Sequence, residues 1–148
     1  ANPLNQQFPI VTKQSMSDVT PNYYYTKTLD LSPAEAETRV HEELEEEGFG
    51  VLTEIDVQAT LKKKLDEDMR PYKILGACNP PYAHKALEAE DKIGTMLPCN
   101  VIVQQSDDGR TEVAAVDPVA SMQAVDNEAL RPIAEEIRDR LRRVIDRI

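Results

Sequence analysis

The residues of this chain with the most reactive side chains are its two cysteines, Cys78 and Cys99, each followed by an asparagine and each within two residues of a proline. Asn79 is the predicted N-cap of a helix. A thiol at a helix N-terminus is near the positive end of the helix dipole, which favours the thiolate. The two thiols could form a reversible disulfide or bind a soft metal. Alternatively, both are small buried apolar side chains at the ends of adjacent strands.

A metal site needs more ligands than two thiolates. His84 lies one turn into the helix after Cys78, so Cys78, Cys99 and His84 could supply three ligands to zinc or another soft metal. A simpler interpretation makes His84 a solvated residue that pairs with Glu88, four positions later. The absence of a Cys-x-x-Cys pair weakens the thioredoxin-like and zinc-finger alternatives.

Two carboxylates, Glu54 and Asp56, alternate on one face of a predicted strand. With a lysine nearby, they could bind a cation or perform acid–base chemistry. In the alternative interpretation, Asp56 caps the next helix, whose Leu61 and Leu65 face inward, and Glu54 pairs with Lys64. The predicted ligand-binding residues are Cys78, Asn79, Cys99, Glu54 and Lys64.

The chain is acidic, with a net charge of −10. Seven glutamates lie between residues 35 and 47, against the single base Arg39, and they are typical of a solvated helix face. His41 lies between Glu37 and Glu45 and is expected to be a surface histidine. Because a phosphate backbone is bound by basic patches, this charge argues against nucleic acid or an anionic membrane as a partner.

The elements that position these side chains follow from local patterns. Ser32 to Glu35 has the form of a capping box, and Gly48 is a typical helix end. Apolar residues repeat at steps of three and four from Leu130 to Ile148, which predicts a long C-terminal helix. Ser106 to Gly109 predicts a hairpin turn. The predicted strands are residues 22–31, 49–55, 70–77, 100–105 and 110–116. Five strands with packed helices indicate an α+β sandwich with an antiparallel sheet.

The 148 residues predict one domain, residues 22–148, after a leader of residues 1–21. Met16 resembles an initiator, so residues 1–15 are either a vector remnant or a polar leader. The sequence has no secretory signal and no apolar run long enough for a membrane span. We therefore expect a cytoplasmic protein with free thiols.

Three segments together resemble the DUF302 family of small bacterial and archaeal domains: Gly48 to Val57, Tyr72 to Pro80, and Leu97 to Val101 with the hairpin after it. The resemblance extends from Tyr23 to about Ile148. It implies an α+β fold of the TATA-binding-protein type, with a bent antiparallel sheet, and a homodimer. It implies no enzymatic activity, and the fold type carries no DNA binding with it.

The function expected from the sequence is non-catalytic binding of a small molecule or metal by a homodimer. The chain lacks the common phosphate-loop, nucleophile-elbow and zinc-protease motifs, so an enzyme is not favoured. One alternative is a thiol redox protein in which Cys78 reacts and Cys99 resolves. Another is a structural dimerisation module.

Overall fold

The computed structural model describes residues 22–148, in which a five-stranded antiparallel sheet is packed against helices. The strands are β1 (Tyr24–Leu29), β2 (Gly50–Asp56), β3 (Tyr72–Cys78), β4 (Cys99–Gln105) and β5 (Thr111–Val116). The helices are α1 (Pro33–Glu46), α2 (Val57–Leu65), α3 (Pro80–Ala89), the four-residue α4 (Pro118–Ser121) and α5 (Leu130–Arg147). A 3-10 helix, Asp91–Met96, follows α3. The predicted α+β fold with a long C-terminal helix is confirmed.

The strand order is β1-β5-β4-β3-β2, and every neighbouring pair is antiparallel. Because side chains alternate along a strand, each strand presents one set of residues to the helices and the other set to the opposite face, called here the outer face. The main core lies between the sheet and helices α1 and α5. Its fully buried side chains include Val40, Leu44, Leu75, Val101, Val113, Leu141, Val144 and Ile145.

Helix α1 begins and ends at the residues that the sequence predicts. Ser32 Oγ accepts from the amide of Glu35 (3.1 Å), and Glu35 Oε1 accepts from the amide of Ser32 (3.0 Å), which completes the capping box. After the helix, Gly48 has φ +88°, a conformation that glycine adopts without steric cost. This turn directs the chain from α1 into β2.

The C-terminal half of α1 is joined to α5 by charged hydrogen bonds. Glu47 accepts from Arg143 Nη2 (3.1 Å) and Arg147 Nη2 (2.9 Å), and Glu43 accepts from Arg147 Nε (2.8 Å). The hydrogen bond from Arg143 is the largest cause that lowers the pKa of Glu47, and the one from Arg147 does the same for the pKa of Glu43. Both carboxylates therefore favour the folded protein when they are ionised.

We expect acid to weaken the charged hydrogen bonds between α1 and α5. Since the folded pKa of each glutamate is lowered, its contribution is present above the unfolded value of about 4.3 and is lost as the pH falls through the folded value. In urea titrations, the double variant Glu43→Gln/Glu47→Gln should be less stable than wild type at neutral pH, and that difference should shrink below about pH 4. Glu46→Gln, on an exposed residue, is the control. An equal difference at both pH values would contradict the prediction.

Two local expectations differ from the structure. Leu65 is exposed, and α2 has no buried residue, because the short helix contacts β3 and β2 without covering them. The 3-10 helix and α4 are two further elements that the sequence patterns do not predict. No helix within residues 22–148 combines the length and the apolar character needed to cross a bilayer. The expectations about a leader, Met16 and a vector remnant concern residues outside the described range.

Candidate functional site

A cavity of about 230 Å³ lies where the ends of β3 and β4 meet helices α3, α4 and α5. The wall is almost entirely apolar. It is lined by Phe49, Leu52, Ala77, Cys78, Asn79, Tyr82, Ala83, Ala86, Leu97, Pro98, Cys99, Pro118, Met122, Ile133, Ala134 and Ile137. An apolar cavity of this kind favours an apolar ligand over water, because water finds few hydrogen-bond partners in it.

The cavity brings together the two cysteines and Asn79. β3 ends at Cys78 and β4 begins at Cys99, and the register places Cys99 opposite Ala77, so the two cysteines are brought near each other by strand pairing. Both are free thiols: Cys78 is half-buried, and Cys99 is buried. Burial, with a smaller effect from the neighbouring Cys78, raises the pKa of Cys99 to about 11. Cys99 is therefore a neutral thiol at physiological pH.

Asn79 holds the cavity wall in place. Its side-chain amide donates to the carbonyl oxygen of Glu47 (3.2 Å), the C-cap of α1. Asn79 is the N-cap residue of α3, as predicted, but its side chain makes no capping hydrogen bond. The same Glu47 carbonyl accepts from Arg140 Nη1 (3.0 Å), and the Arg140 guanidinium lies 5.2 Å from the ring centre of Tyr82. These contacts tie α1, α3 and α5 together around the cavity.

Three of the predicted site residues lie elsewhere within the described part of the chain. His84 is 74% exposed at its side chain and lies 3.8 Å from Glu88, which matches the surface-pair interpretation. The proposed metal set of Cys78, Cys99 and His84 therefore does not converge, because α3 points His84 into solvent. Glu54 and Lys64 do not line the cavity either.

Glu54 contacts His41 instead of Lys64: the two atoms Glu54 Oε2 and His41 Nε2 lie 3.6 Å apart. The reason is the register of β2 with β3, in which Glu54 is opposite Leu75 and Asp56 is opposite Lys73. Both carboxylates thus lie on the α1 side of the sheet, where they are close enough to Lys73 to affect its pKa. Asp56 also caps α2, as predicted, by accepting from the amide of Ala59 at 2.9 Å.

Apart from the apolar cavity, a polar cluster of Glu37, His41, Glu54 and Lys73 lies between α1 and the edge strand β2. His41 Nε2 lies 3.7 Å from Glu37 Oε2, and Lys73 Nζ lies 3.0 Å from Glu37 Oε1. The hydrogen bond to Glu37 is the largest cause that raises the pKa of Lys73, with smaller effects from Glu54 and Asp56. Glu37 was considered in the sequence only as a neighbour of His41, because the pairing of β2 with β3 decides that Glu54 faces α1, and helical spacing does not reveal that pairing.

Comparisons with known proteins agree with this architecture. Residues 25–148 match the family model described as "Domain of unknown function DUF302". A crystal structure of an uncharacterized conserved DUF302 protein from Bacillus stearothermophilus is similar to this chain, with a TM-score of 0.81 and 32% sequence identity. The alignment covers 86% of this chain and 98% of that one. A comparison with curated proteins gives no match.

The family match covers both cysteines, the cavity and the whole sheet apart from Tyr24, the first residue of β1. The three segments that resemble the family in sequence are parts of β2, β3 and β4 together with the residues that flank them. The chain therefore belongs to the DUF302 family.

Proposed function

We propose that this domain is a non-catalytic binding protein that holds a small apolar molecule in the cavity beside Cys78 and Cys99. The observation that carries the proposal is the cavity itself, which is preformed and apolar and is bounded by residues of six secondary-structure elements. Preformed apolar cavities with few polar groups are the usual sites for small ligands. The thiol of Cys78 is the polar group best placed to orient the ligand, since the Asn79 amide already donates to a carbonyl.

The volume limits the ligand. An engineered apolar cavity of about 150 Å³ binds benzene. By proportion, a cavity of about 230 Å³ holds a molecule of about nine non-hydrogen atoms. A bicyclic aromatic molecule such as indole, or a short acyl chain, has that size. A whole nucleotide or a folded peptide is too large to fit inside the cavity.

We expect indole to bind wild-type protein and a cavity-filling variant to lose that binding. Ala83 lies on the cavity wall in α3, so Ala83→Leu adds three carbon atoms to a space of limited volume. Indole affinity should fall by about tenfold or more, because the added atoms occupy volume that the ligand needs. The measurement is an NMR titration of the protein with indole.

The matched control is Ala34→Leu, the same change on an exposed position of α1. It should leave indole affinity unchanged. If wild type shows no saturable shifts at residues of the cavity, or if Ala83→Leu binds as well as wild type, the cavity is not the binding site and the proposal fails.

A second candidate is thiol redox chemistry, which the presence of both cysteines in one cavity favours. Oxidation would join the two sulfur atoms, with two protons and two electrons passing to an oxidant such as a peroxide. We place this second because Cys99, with a pKa of about 11, is a poor source of thiolate. Two free thiols also support a reducing, cytoplasmic location.

The homodimer is part of the proposal, with the outer face of the sheet as its interface. A depression on that face is lined by tyrosine and isoleucine side chains together with polar ones: Tyr23, Tyr24, Tyr72, Ile102, Asn100, Gln104 and Glu112. Ile55 of β2 is exposed on the same face. Aromatic residues such as tyrosine are enriched in protein interfaces, whereas Lys, Glu and Asp are depleted. Native mass spectrometry with and without reductant tests both the homodimer and the alternative redox function. A monomer mass would exclude the dimer, and a loss of two hydrogens per chain that reductant reverses would put the redox function first.

A further inference from the structure

The geometry points to a divalent metal site formed by Glu37, His41 and Glu54, between helix α1 and the edge strand β2. The ion that it would bind is Zn²⁺ or another first-row transition ion. One oxygen or nitrogen atom from each of the three side chains lies within 4.8 Å of the other two. In the described part of the chain, this is the one group of three or more such residues that converges in this way. It is separate from the cysteine cavity, which none of the three residues lines.

The interatomic distances favour a metal over direct hydrogen bonds. His41 Nε2 lies 3.7 Å from Glu37 Oε2 and 3.6 Å from Glu54 Oε2. Both separations exceed the range of about 2.7–3.2 Å for an N–H···O hydrogen bond. Two ligands of a tetrahedral ion with bonds of about 2.0–2.1 Å are about 3.4 Å apart. The three side chains are thus close to the spacing that one shared ion requires.

The local structure orients the ligands. Glu37 and His41 are four residues apart on α1, so they lie on one face of the helix. Glu54 reaches the same point from β2. Lys73 Nζ donates to Glu37 Oε1 (3.0 Å), which leaves Oε2 directed at His41. A hydrogen bond to the second oxygen of a ligating carboxylate is the usual way in which surrounding residues fix a metal ligand.

The charge of the cluster also suits a divalent cation. Glu37, Glu54 and Asp56 bring three carboxylates near one lysine, Lys73. With His41 neutral, this leaves two negative charges, which one divalent ion balances. The side chains of Glu37, His41 and Glu54 are 23%, 37% and 47% exposed, so an ion can enter and water can complete its coordination.

The donor set selects among metals. One imidazole nitrogen with two carboxylates suits Zn²⁺ and neighbouring first-row ions, whereas Ca²⁺ needs six to eight oxygen ligands. Three protein ligands and an open position are typical of a zinc site that binds water or a further ligand. Bound there, the ion would join α1 to β2 at the edge of the sheet.

Titration with CoCl₂ in place of zinc tests the site, because Co²⁺ is coloured and its spectrum reports the ligand type. Wild type should develop d–d bands without the sulfur-to-cobalt charge-transfer band that Cys78 or Cys99 would produce. His41→Ala and Glu54→Gln should each weaken Co²⁺ binding by at least about tenfold, since even the loss of a residue behind the ligands costs 10–100-fold. Circular dichroism shows whether each variant is folded.

The matched control is His84→Ala. His84 is the other histidine of the chain and also has a glutamate four residues away, at 3.8 Å, but among residues 22–148 no third ligand reaches it. Its removal should leave Co²⁺ affinity unchanged. Absence of any Co²⁺ spectrum in wild type, a sulfur charge-transfer band, or wild-type affinity in folded His41→Ala and Glu54→Gln would each overturn the proposal. Glu54 lies on an edge strand and is half exposed, so Glu54→Gln remains a usable test if His41→Ala does not fold.

Discussion

Leu141→Ala should lower the free energy of unfolding by about 2–5 kcal/mol, which is a large part of the stability of a domain of this size. Leu141 is 1% exposed and packs in the main core, where α5 meets the sheet. Truncation removes the apolar contacts of three carbon atoms and leaves a cavity that the surrounding strands cannot close. Urea unfolding followed by circular dichroism measures the change.

The control for this helix is Asp139→Ala, at an exposed position two residues earlier. Its effect should stay within about 0.5 kcal/mol of wild type, as surface substitutions usually do. If Leu141→Ala costs less than about 1 kcal/mol, the buried face of α5 has been assigned wrongly.

Gly76→Ala should cost about 3 kcal/mol and should also weaken ligand binding in the cavity. Gly76 is buried in β3, opposite Thr53 in β2. A Cβ atom there would clash with Thr53 Oγ1 and would lie 2.8 Å from Cγ of Pro98. The proline ring cannot rotate away, so the strand or the loop must move. Pro98 lines the cavity, and its displacement would change the space in which we propose that indole binds.

Gly50→Ala is a matched control in the same sheet, because a Cβ at Gly50 would meet no atom within 4 Å. We expect Gly50→Ala to be neutral or slightly stabilising, since alanine restricts the unfolded chain. Thermal unfolding of both variants and an indole titration test this pair. If the two glycine variants have equal stability, the close approach at Gly76 does not constrain the sheet.

Local signals were sufficient for most elements, because each depends on residues next to one another in the chain. The capping box at Ser32, the left-handed turn at Gly48 and the apolar repeat of α5 are all formed as the sequence predicts. Helix α2 is the exception. Its Leu61 and Leu65 follow the spacing of a buried face, but in the described part of the chain Leu61 is only half-buried and Leu65 is exposed, so the pattern alone gave the wrong burial.

The cysteine cavity and the cluster of Glu37, His41 and Glu54 differ in how far the sequence predicts them. The cysteines were found from their chemistry, and strand pairing places them in one cavity, as their positions at the ends of β3 and β4 suggested. The partner of Glu54 could not be predicted from side-chain chemistry and distance along the chain. Lys64 is closer to Glu54 in sequence than His41 is, yet the structure pairs Glu54 with His41.

By itself, the sequence determined the family, the fold class, the order of the five strands and the four longer helices along the chain, and the two thiols that could react. The family follows from the resemblance of three segments to DUF302, whereas the elements follow from periodicity and local turns, which act over a few residues. The tertiary structure decided which distant side chains meet. The antiparallel register of β2 with β3 turns Glu54 toward α1 and brings Lys73 beside it, while α3 carries His84 out into solvent. Such contacts depend on how strands and helices pack, and that packing is a property of the whole domain.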